Sequence, residues 1–252
     1  MTDTSYVKSE THNGITTIEF FHPQGNSMPA ILLEKLSHHI HSAGNEEETK
    51  VILLRSAGNA AFCAGASISE LTSIASLSQA TDFFTGFAHV INAIRKVTKI
   101  VVARIHGRCI GGGVGIAAAA DYAIALEGAD IKLSELSLGI GPFVVGPVIE
   151  RKIGFSAFSN LAIDSSMWRN AEWAKRKGLY AELHSSIENM EESIARLCNS
   201  LAHSSPHAMA ELKKTLWKGT ENWDQYLSER AAISGRLLLE PAAKKALEGM
   251  KK

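Results

Sequence analysis

The sequence predicts an α/β fold, in which β-strands alternate with helices along the chain. Short apolar runs rich in β-branched residues, such as Ile100 to Ile105, alternate with longer segments of helical periodicity. With 45% hydrophobic and 21% charged residues over 252 positions, the composition is that of a globular protein with a substantial core. Two segments rich in glycine and alanine each follow a predicted strand. These loops are the first candidates for a functional site.

The first predicted strand is Ile15 to Phe20, and the segment Phe21 to Pro29 is predicted as a loop because it contains proline, glycine and asparagine. Pro29 opens a helix from Ala30 to Ser42, and Gly44 is the expected stop. Val51 to Leu54 is the second strand. The next segment, S-A-G-N-A-A-F-C-A-G-A-S, is predicted as a loop because it is too rich in glycine and alanine for a strand.

A helical pattern runs from Ile68 to about Lys96 with a break near Ser76, and the buried strand Ile100 to Ile105 follows. The next segment, G-R-C-I-G-G-G-V-G, leads into a helix of small residues. Tyr122 to Leu126 and Ile131 to Leu133 are predicted as short strands. Residues 134–147 are loop-rich, and from residue 148 onward the pattern is mostly helical, with prolines at 206 and 241 marking helix starts. A helical end of this kind suggests homo-oligomerisation.

The charge balance favours a small-molecule ligand. The 26 Lys and Arg residues equal the 26 Asp and Glu residues, so no basic surface indicates nucleic acid or an anionic membrane. The segment MTDTSYVKSE lacks an apolar signal region, and no apolar run is long enough to span a membrane, so we expect a cytoplasmic protein. The cysteines Cys63, Cys109 and Cys198 are expected as reduced core thiols. His38 and His41 lack a third ligand, so no metal site is expected.

The glycine segment after Ile105 could hold an anionic oxygen, because N–H groups at a helix start carry partial positive charge and glycine permits close approach. One candidate ligand is a pyrophosphate, because Gly113, Gly115 and Ala118 match the dinucleotide-binding pattern G-x-G-x-x-A. Asp130 or Glu135 would then bind the ribose. Another candidate is the oxyanion of an enolate or a tetrahedral intermediate, for which the segment F-C-A-G-A-S would supply a second N–H donor. Tight helix packing is the structural alternative.

A general base is also predicted near these loops. Glu135 lies in the apolar segment L-S-E-L-S-L-G-I-G-P-F, where burial would raise the pKa of its carboxyl group. The alternative is a surface or capping glutamate. His106 could touch a ligand, although a hydrogen-bonded structural histidine is the more common case. Asp121 is predicted to be a structural hydrogen-bonding acid. No G-x-S-x-G elbow occurs, so a nucleophilic serine is not supported.

The segment A-F-C-A-G-A-S-I, followed by A-R-I-H-G-R-C-I-G-G-G-V-G-I-A-A-A-A-D-Y-A-I-A, closely resembles the crotonase superfamily, the enoyl-CoA hydratase/isomerase family. The resemblance also covers L-S-E-L-S-L-G-I-G-P and N-A-E-W-A-K-R-K-G-L-Y-A, and so nearly the whole chain. It implies a crotonase-like spiral of ββα units over residues 1–190 that binds acyl-CoA. It also implies a helical trimerisation region over residues 191–252 that packs on the core or on a neighbouring subunit.

The resemblance further implies a trimer or a dimer of trimers, with coenzyme A present as part of the substrate and no other cofactor. It places an oxyanion hole at the N–H groups of Ala66 and Gly112. Glu135 matches a family glutamate that acts as general acid or base. Ser67 stands where an aspartate is common in the family. The residues that the resemblance places along the CoA pocket are Asn26, Ala64, Ser67 and Ile68.

The chain departs from the hydratase pattern at one catalytic carboxylate. Family hydratases hold water between two glutamates, and the position of the first is Gly115 here, which would also leave extra room beside the acyl chain. A single base at Glu135 suits isomerisation of a 3-enoyl thioester through an enolate. Hydration by one glutamate stays open, as does a short or branched substrate such as a methylglutaconyl thioester. The alternative from another class is a non-enzymatic acyl-CoA-binding protein that has lost hydratase chemistry.

Overall fold

The computed structural model describes residues 4–249, which form two β-sheets and the helices packed around them. Residues 1–3 and 250–252, the latter being the end of the last predicted helix, lie outside the described residues. The strands are β1 (Tyr6–His12), β2 (Ile15–Phe21), β3 (Val51–Ser56), β4 (Ala61–Cys63), β5 (Ile100–Ile105), β6 (Arg108–Ile110), β7 (Tyr122–Leu126), β8 (Ile131–Lys132) and β9 (Glu182–His184).

The helices surround these sheets and make up most of the second half of the chain. A 3-10 turn at Leu136–Leu138 lies between β8 and the fifth helix. The helices are α1 (Ala30–Asn45), α2 (Ile68–Ser73), α3 (Leu77–Lys96), α4 (Gly112–Ala119), α5 (Gly146–Ile153), α6 (Phe155–Ile163), α7 (Ala171–Arg176), α8 (Ile187–Ala202), α9 (Pro206–Leu216), α10 (Trp223–Leu238) and α11 (Pro241–Gly249).

The topology is a repeat of two strands and a helix. The larger sheet has the strand order β1-β2-β3-β5-β7-β9. All adjacent strands in it are parallel except β1 and β2, which are antiparallel. The smaller sheet is parallel, in the order β4-β6-β8. In each of the pairs β3 and β4, β5 and β6, and β7 and β8, the first strand joins the larger sheet and the second joins the smaller one. Helices follow each pair, which confirms the predicted spiral of ββα units.

The smaller sheet corrects the prediction that the segment after β3 is a loop. Ala61 to Cys63 form β4, in which the Phe62 and Cys63 side chains are fully buried. Three residues give no period-2 pattern, and the pairing with β6 decides the conformation. The short strands β6 and β9 and the polar strand β1 were also absent from the sequence prediction, whereas the break at Ser76 is confirmed by a capping box at the start of α3.

Gly44 does not end α1, contrary to expectation, because the helix continues to Asn45. A Cβ atom on Gly44 would lie 2.4 Å from Cγ1 of Val97, so glycine here allows close packing on the end of α3. The residue therefore has a packing role inside the helix. α1 therefore packs against both α3 and the larger sheet.

The C-terminal helices pack on the core of the same chain. α8 contacts the larger sheet, α10 packs along α3, and the predicted boundary between residues 190 and 191 lies inside α8. Asp121 ties α9 to the sheet, since its carboxylate accepts hydrogen bonds from the Val101 N–H, Lys213 and the Trp217 indole. Its predicted structural role is confirmed. Within residues 4–249, no helix is both long and apolar enough to cross a membrane.

Candidate active site

The two glycine-rich segments meet at one end of the smaller sheet. They follow β4 and β6, which are parallel neighbours, so both strands end at the same edge. Gly65 has φ +85°, and a Cβ atom there would lie 2.7 Å from the Ile110 carbonyl oxygen and 3.5 Å from the Gly112 nitrogen. Any other residue would be strained and would push the segments apart. Gly65 is therefore required for the close approach.

The backbone N–H groups of Ala66 and Gly112, which border the cavity at this junction, have no acceptor among residues 4–249. Their neighbours are paired: the Ser67 N–H donates to the Met28 carbonyl, and the Gly111 N–H donates to the Lys132 carbonyl. Gly112 is the first residue of α4, where helical N–H groups lack intrahelical partners. Both Ala66 and Gly112 border the same cavity. Two such donors are suited to an anionic oxygen.

The cavity at this junction has a volume of about 540 Å³, including its open mouth. Its walls are mostly apolar, and side-chain oxygens come only from Ser134, Glu135 and Ser234 among the lining residues. A cavity with mostly apolar walls and a few polar groups suits an acyl chain. The apolar side chains that line it are Ile68, Leu71, Phe84, Phe87, Ile110, Leu138, Ile140, Pro142, Phe143, Val144 and Val145, with Ala64 and Ala66 beside the glycines.

The Glu135 carboxyl group lies directly over the backbone of Gly111. A Cβ atom on Gly111, whose φ is +51°, would come within 2.9 Å of Glu135 Oε1, so the carboxyl group occupies the place of that side chain. Oε2 is buried and has no hydrogen-bond partner within residues 4–249. Burial away from water raises the pKa of Glu135 to about 7, although a hydrogen bond to its own backbone N–H works in the opposite direction. A carboxyl group with this pKa can accept or donate a proton near neutral pH.

The space beside Gly115 is filled, contrary to the expectation of extra room for the acyl chain. A Cβ atom on Gly115 would lie 2.5 Å from Cγ1 and 2.7 Å from Cβ of Val145. Val145 itself lines the cavity, so its isopropyl group stands between Gly115 and the acyl chain. The place that a second glutamate would need is therefore occupied by an apolar side chain.

The four residues predicted along the CoA pocket lie near the cavity in two different ways. Ala64 and Ile68 line it. The Asn26 amide group donates to the carbonyls of Ala57 and Ala61, and its oxygen accepts from the backbone N–H of residue 22. Ser67 caps α2, accepting a hydrogen bond from the N–H of residue 70. The side chains of Asn26 and Ser67 thus hold the first glycine segment in position.

The structure assigns packing roles to the residues of the dinucleotide pattern. A Cβ atom on Gly113 would lie 2.4 Å from the Cys63 carbonyl oxygen, so this glycine lets α4 lie against β4. Asp130 accepts a hydrogen bond from the backbone N–H of Ala171. His106 is absent from the residues that line the cavity, and its two ring nitrogens are buried without a partner in the described part of the chain. Its expected structural hydrogen bond is therefore not formed, and burial lowers its pKa to about 4.

Two residues that the sequence analysis missed also face the cavity, Val145 and Ser234. Val145 lies directly before α5, and Ser234 comes from α10, far along the chain from both glycine segments. No local pattern distinguishes either residue from its neighbours. Only the packing of α10 along α3 places Ser234 in the site.

The family model described as enoyl-CoA hydratase/isomerase matches residues 10–252. The chain belongs to this family. The crystal structure of enoyl-CoA hydratase from Bacillus halodurans superposes with a TM-score of 0.90 and 27% identity, covering 97% of this chain and 100% of that one. The crotonase fold predicted from the sequence is thereby confirmed.

Curated family members include proteins named for different reactions. Methylglutaconyl-CoA hydratase, mitochondrial, from Homo sapiens is 29% identical over 219 residues, which are 84% of this chain and 63% of the human protein. The peroxisomal Delta(3,5)-Delta(2,4)-dienoyl-CoA isomerase from Arabidopsis thaliana is 27% identical over 197 residues, 72% of this chain and 69% of the plant protein. Family membership therefore leaves both hydration and isomerisation open for this chain.

Replacing Glu135 with Gln should remove a pH-dependent loss of stability. The folded-state pKa of about 7 is above the ordinary value of 4.5, so the stabilisation is complete below pH 4.5 and is lost as the pH rises through 7. The Glu135→Gln variant has no such titration. We expect its free energy of unfolding, relative to the unmodified protein, to rise by about 2–3 kcal/mol between pH 5 and pH 8.5. Urea unfolding at both pH values measures this, and a constant difference would contradict the buried, unpaired carboxyl group.

Replacing Gly115 with Ala should destabilise the protein through Val145. The added methyl group would overlap the Val145 side chain, and overpacking of this kind costs about 1–3 kcal/mol. In a Val145→Ala background the same substitution should cost much less, so the double-mutant cycle should show coupling. Gly128→Ala is the matched control, because nothing lies within 4 Å of a Cβ atom there. Additive effects of the two substitutions would show that Val145 does not fill the space.

Proposed function

We propose that the protein is an enoyl-CoA hydratase/isomerase-type enzyme that acts on a short or branched acyl-CoA thioester. The observation that carries this proposal is the buried carboxyl group of Glu135, whose Oε2 has no partner within residues 4–249, near the free N–H groups of Ala66 and Gly112. The carboxyl group supplies a proton acceptor near neutral pH. The two N–H groups form the oxyanion hole for the thioester oxygen, which becomes negatively charged when the substrate enolises.

Isomerisation is the reaction that one base can complete. The Glu135 carboxylate removes a proton from the α-carbon of a 3-enoyl thioester, and the C–H electron pair forms the enolate held by Ala66 and Gly112. The enolate then collapses, the double bond moves to the 2,3 position, and the proton on Glu135 returns at the γ-carbon. Protons and electrons balance, and no water or further cofactor is consumed.

The packing of Val145 favours isomerisation over hydration. Adding water by the two-carboxylate route needs a second acid, which the resemblance places at position 115, and the Val145 isopropyl group fills the space beside Gly115. An apolar wall also gives water few polar partners. We therefore place a Δ3,Δ2-enoyl-CoA isomerase first and a hydratase second. The relative named methylglutaconyl-CoA hydratase makes a branched acyl group the substrate to test for hydration.

Coenzyme A enters this proposal as part of the substrate. Ala64 and Ile68 border the cavity beside Ala66, so the thioester end of the pantetheine chain would pass these residues. Asn26 and Ser67 would act indirectly, by holding the loop that carries Ala64 and Ala66. We propose no other cofactor.

We also propose a homo-oligomer, a trimer or a dimer of trimers. Several large apolar side chains are exposed around α6 and the 3-10 turn, and the hydrogen bond of 2.6 Å between Ser137 Oγ and Ser165 Oγ brings these segments together. Exposed apolar side chains gathered in one region are typical of subunit interfaces. The residues concerned are Leu136, Ile163, Met167 and Trp168.

Mixing the protein with matched 3-enoyl-CoA and 2-enoyl-CoA substrates, including 3-methylglutaconyl-CoA, tests the reaction by mass spectrometry. We expect a product of unchanged mass with a shifted double bond. The Glu135→Gln variant should lose about 10²- to 10⁴-fold in turnover, because the general base is removed. Its affinity for a saturated acyl-CoA should change little, since the base acts on the proton and not on the CoA moiety.

Glu211→Gln is the matched control for this experiment, because Glu211 is exposed on α9 and distant in sequence from the site. It should retain full turnover. A gain of one water would identify a hydratase. Tight acyl-CoA binding without turnover of any substrate would instead identify a non-enzymatic acyl-CoA-binding protein, and full activity of Glu135→Gln would refute the role of Glu135.

The molar mass in solution tests the proposed assembly. Light scattering coupled to size-exclusion chromatography should give three or six times the chain mass of 27.2 kDa. Replacing Ile163 with Asp should shift the mass towards that of one chain, because a charge is costly in an apolar interface. Phe155→Asp is the comparison at the other end of α6. A monomer at micromolar concentration would contradict the proposal.

A further inference from the structure

The acyl cavity contains one hydroxyl group that the proposed chemistry does not use, that of Ser234. The residue is 1% exposed and lines the cavity from α10. No hydrogen bond to its hydroxyl is formed within residues 4–249, although other polar side chains of α10 are paired. Gly235 allows α10 to lie close to α3 at this point, because a Cβ atom there would lie 2.9 Å from the backbone nitrogen of Thr81. A hydroxyl group that borders the cavity and has no hydrogen bond within the described residues can donate to a bound ligand.

A second cavity, of about 650 Å³, adjoins the acyl cavity, and both are bordered by Pro142 and Phe143. Arg230 lines this second cavity from α10. Arg230 and Ser234 are four residues apart and so lie on the same face of the helix, one turn from each other. Ser234 and Arg230 therefore lie along the same side of α10, with Ser234 at the acyl cavity and Arg230 at the second cavity.

The Arg230 guanidinium group has no carboxylate partner within 4.0 Å in the described part of the chain. Its contacts are with Tyr226, whose ring centroid is 4.7 Å from Arg230 Cζ and whose hydroxyl group accepts a hydrogen bond of 2.9 Å. Glu150 also borders this cavity but is exposed and does not pair with it. A partly buried arginine held in position by an aromatic ring, with its charge unpaired, is suited to an incoming carboxylate.

We propose that the acyl chain of the substrate ends in a carboxylate, so that the substrates are short dicarboxylic acyl-CoA thioesters. This inference rests on the proposed acyl-CoA function. The thioester oxygen lies at Ala66 and Gly112, and the terminal carboxylate accepts a hydrogen bond from the Ser234 hydroxyl. Arg230 supplies the compensating positive charge from the adjoining cavity. No covalent step is involved, so the site selects the substrate and leaves the reaction at Glu135 unchanged.

Affinity for three saturated CoA thioesters tests this inference, because saturated chains bind without reacting. Glutaryl-CoA carries the terminal carboxylate, its methyl ester removes the charge, and pentanoyl-CoA lacks the oxygens. By isothermal titration calorimetry, glutaryl-CoA should bind about tenfold or more tightly than either neutral thioester, as expected for a hydrogen bond to a charged group. The preference should fall as the salt concentration rises, because Arg230 is partly exposed.

Substitutions on α10 distinguish the contribution of these two side chains to carboxylate binding from an effect on folding. Ser234→Ala and Arg230→Gln should each reduce the preference for glutaryl-CoA about fivefold or more, while pentanoyl-CoA affinity stays the same. Arg236→Gln and Ser228→Ala are the matched controls, because both residues are exposed on the same helix, and they should keep the preference. Equal binding of all three thioesters, or an unchanged preference in Arg230→Gln, would overturn the dicarboxylic substrate. Failure of every thioester to bind would instead refute the proposed function itself.

Discussion

The placement of the Glu135 carboxyl group over the backbone of Gly111 is the constraint on which the site depends. The Glu135 carboxyl group lies 2.9 Å from the position of a Cβ atom on Gly111, and the positive φ of Gly111 favours glycine there. The turn at Gly111 starts α4 directly afterwards, which leaves the Gly112 N–H without an intrahelical acceptor. The Glu135 carboxyl group, the start of α4 and the Gly112 N–H group therefore all lie at the turn formed by Gly111.

The second donor depends on a contact between backbones. Gly65 approaches the Ile110 carbonyl so closely that a side chain would not fit, and Ala66 follows it into the cavity. The loop keeps this geometry because Asn26 bonds to two of its flanking carbonyls and Ser67 caps α2. The functional groups of the site are thus mainly backbone atoms, and side chains outside the cavity hold them in place. The oxyanion binding proposed above would therefore depend on backbone N–H groups and not on charged side chains.

The sequence predicts those parts of the site that are encoded locally. The glycine segments, the apolar context of Glu135 and the longer strands and helices depend on neighbouring residues, and their patterns are visible in the chain. The three-residue strand β4 has no pattern of its own and forms because β6 lies beside it. The prediction of extra room beside Gly115 was wrong because it also depended on a residue distant in sequence. Glycine leaves room only where no other side chain fills the space, and the Val145 side chain fills it here.

Ser234 on α10 is the one cavity-lining residue that comes from the C-terminal helices within residues 4–249, and in the proposed function it would affect which acyl chain binds without changing the groups at the thioester. Glu135 and the two N–H donors are fixed by contacts within the ββα spiral, so changes at Ser234 or Arg230 leave them in place. α10 packs along α3 through Gly235, which limits how far the helix can move but not which side chains it presents to the acyl chain. The pKa of Glu135 still depends on this wall, because water admitted at the helix would restore solvation of the carboxylate and lower the pKa. If α10 selects the acyl chain as proposed, its cavity-lining residue must also exclude water from Glu135, and Ser234, at 1% exposure, meets that condition.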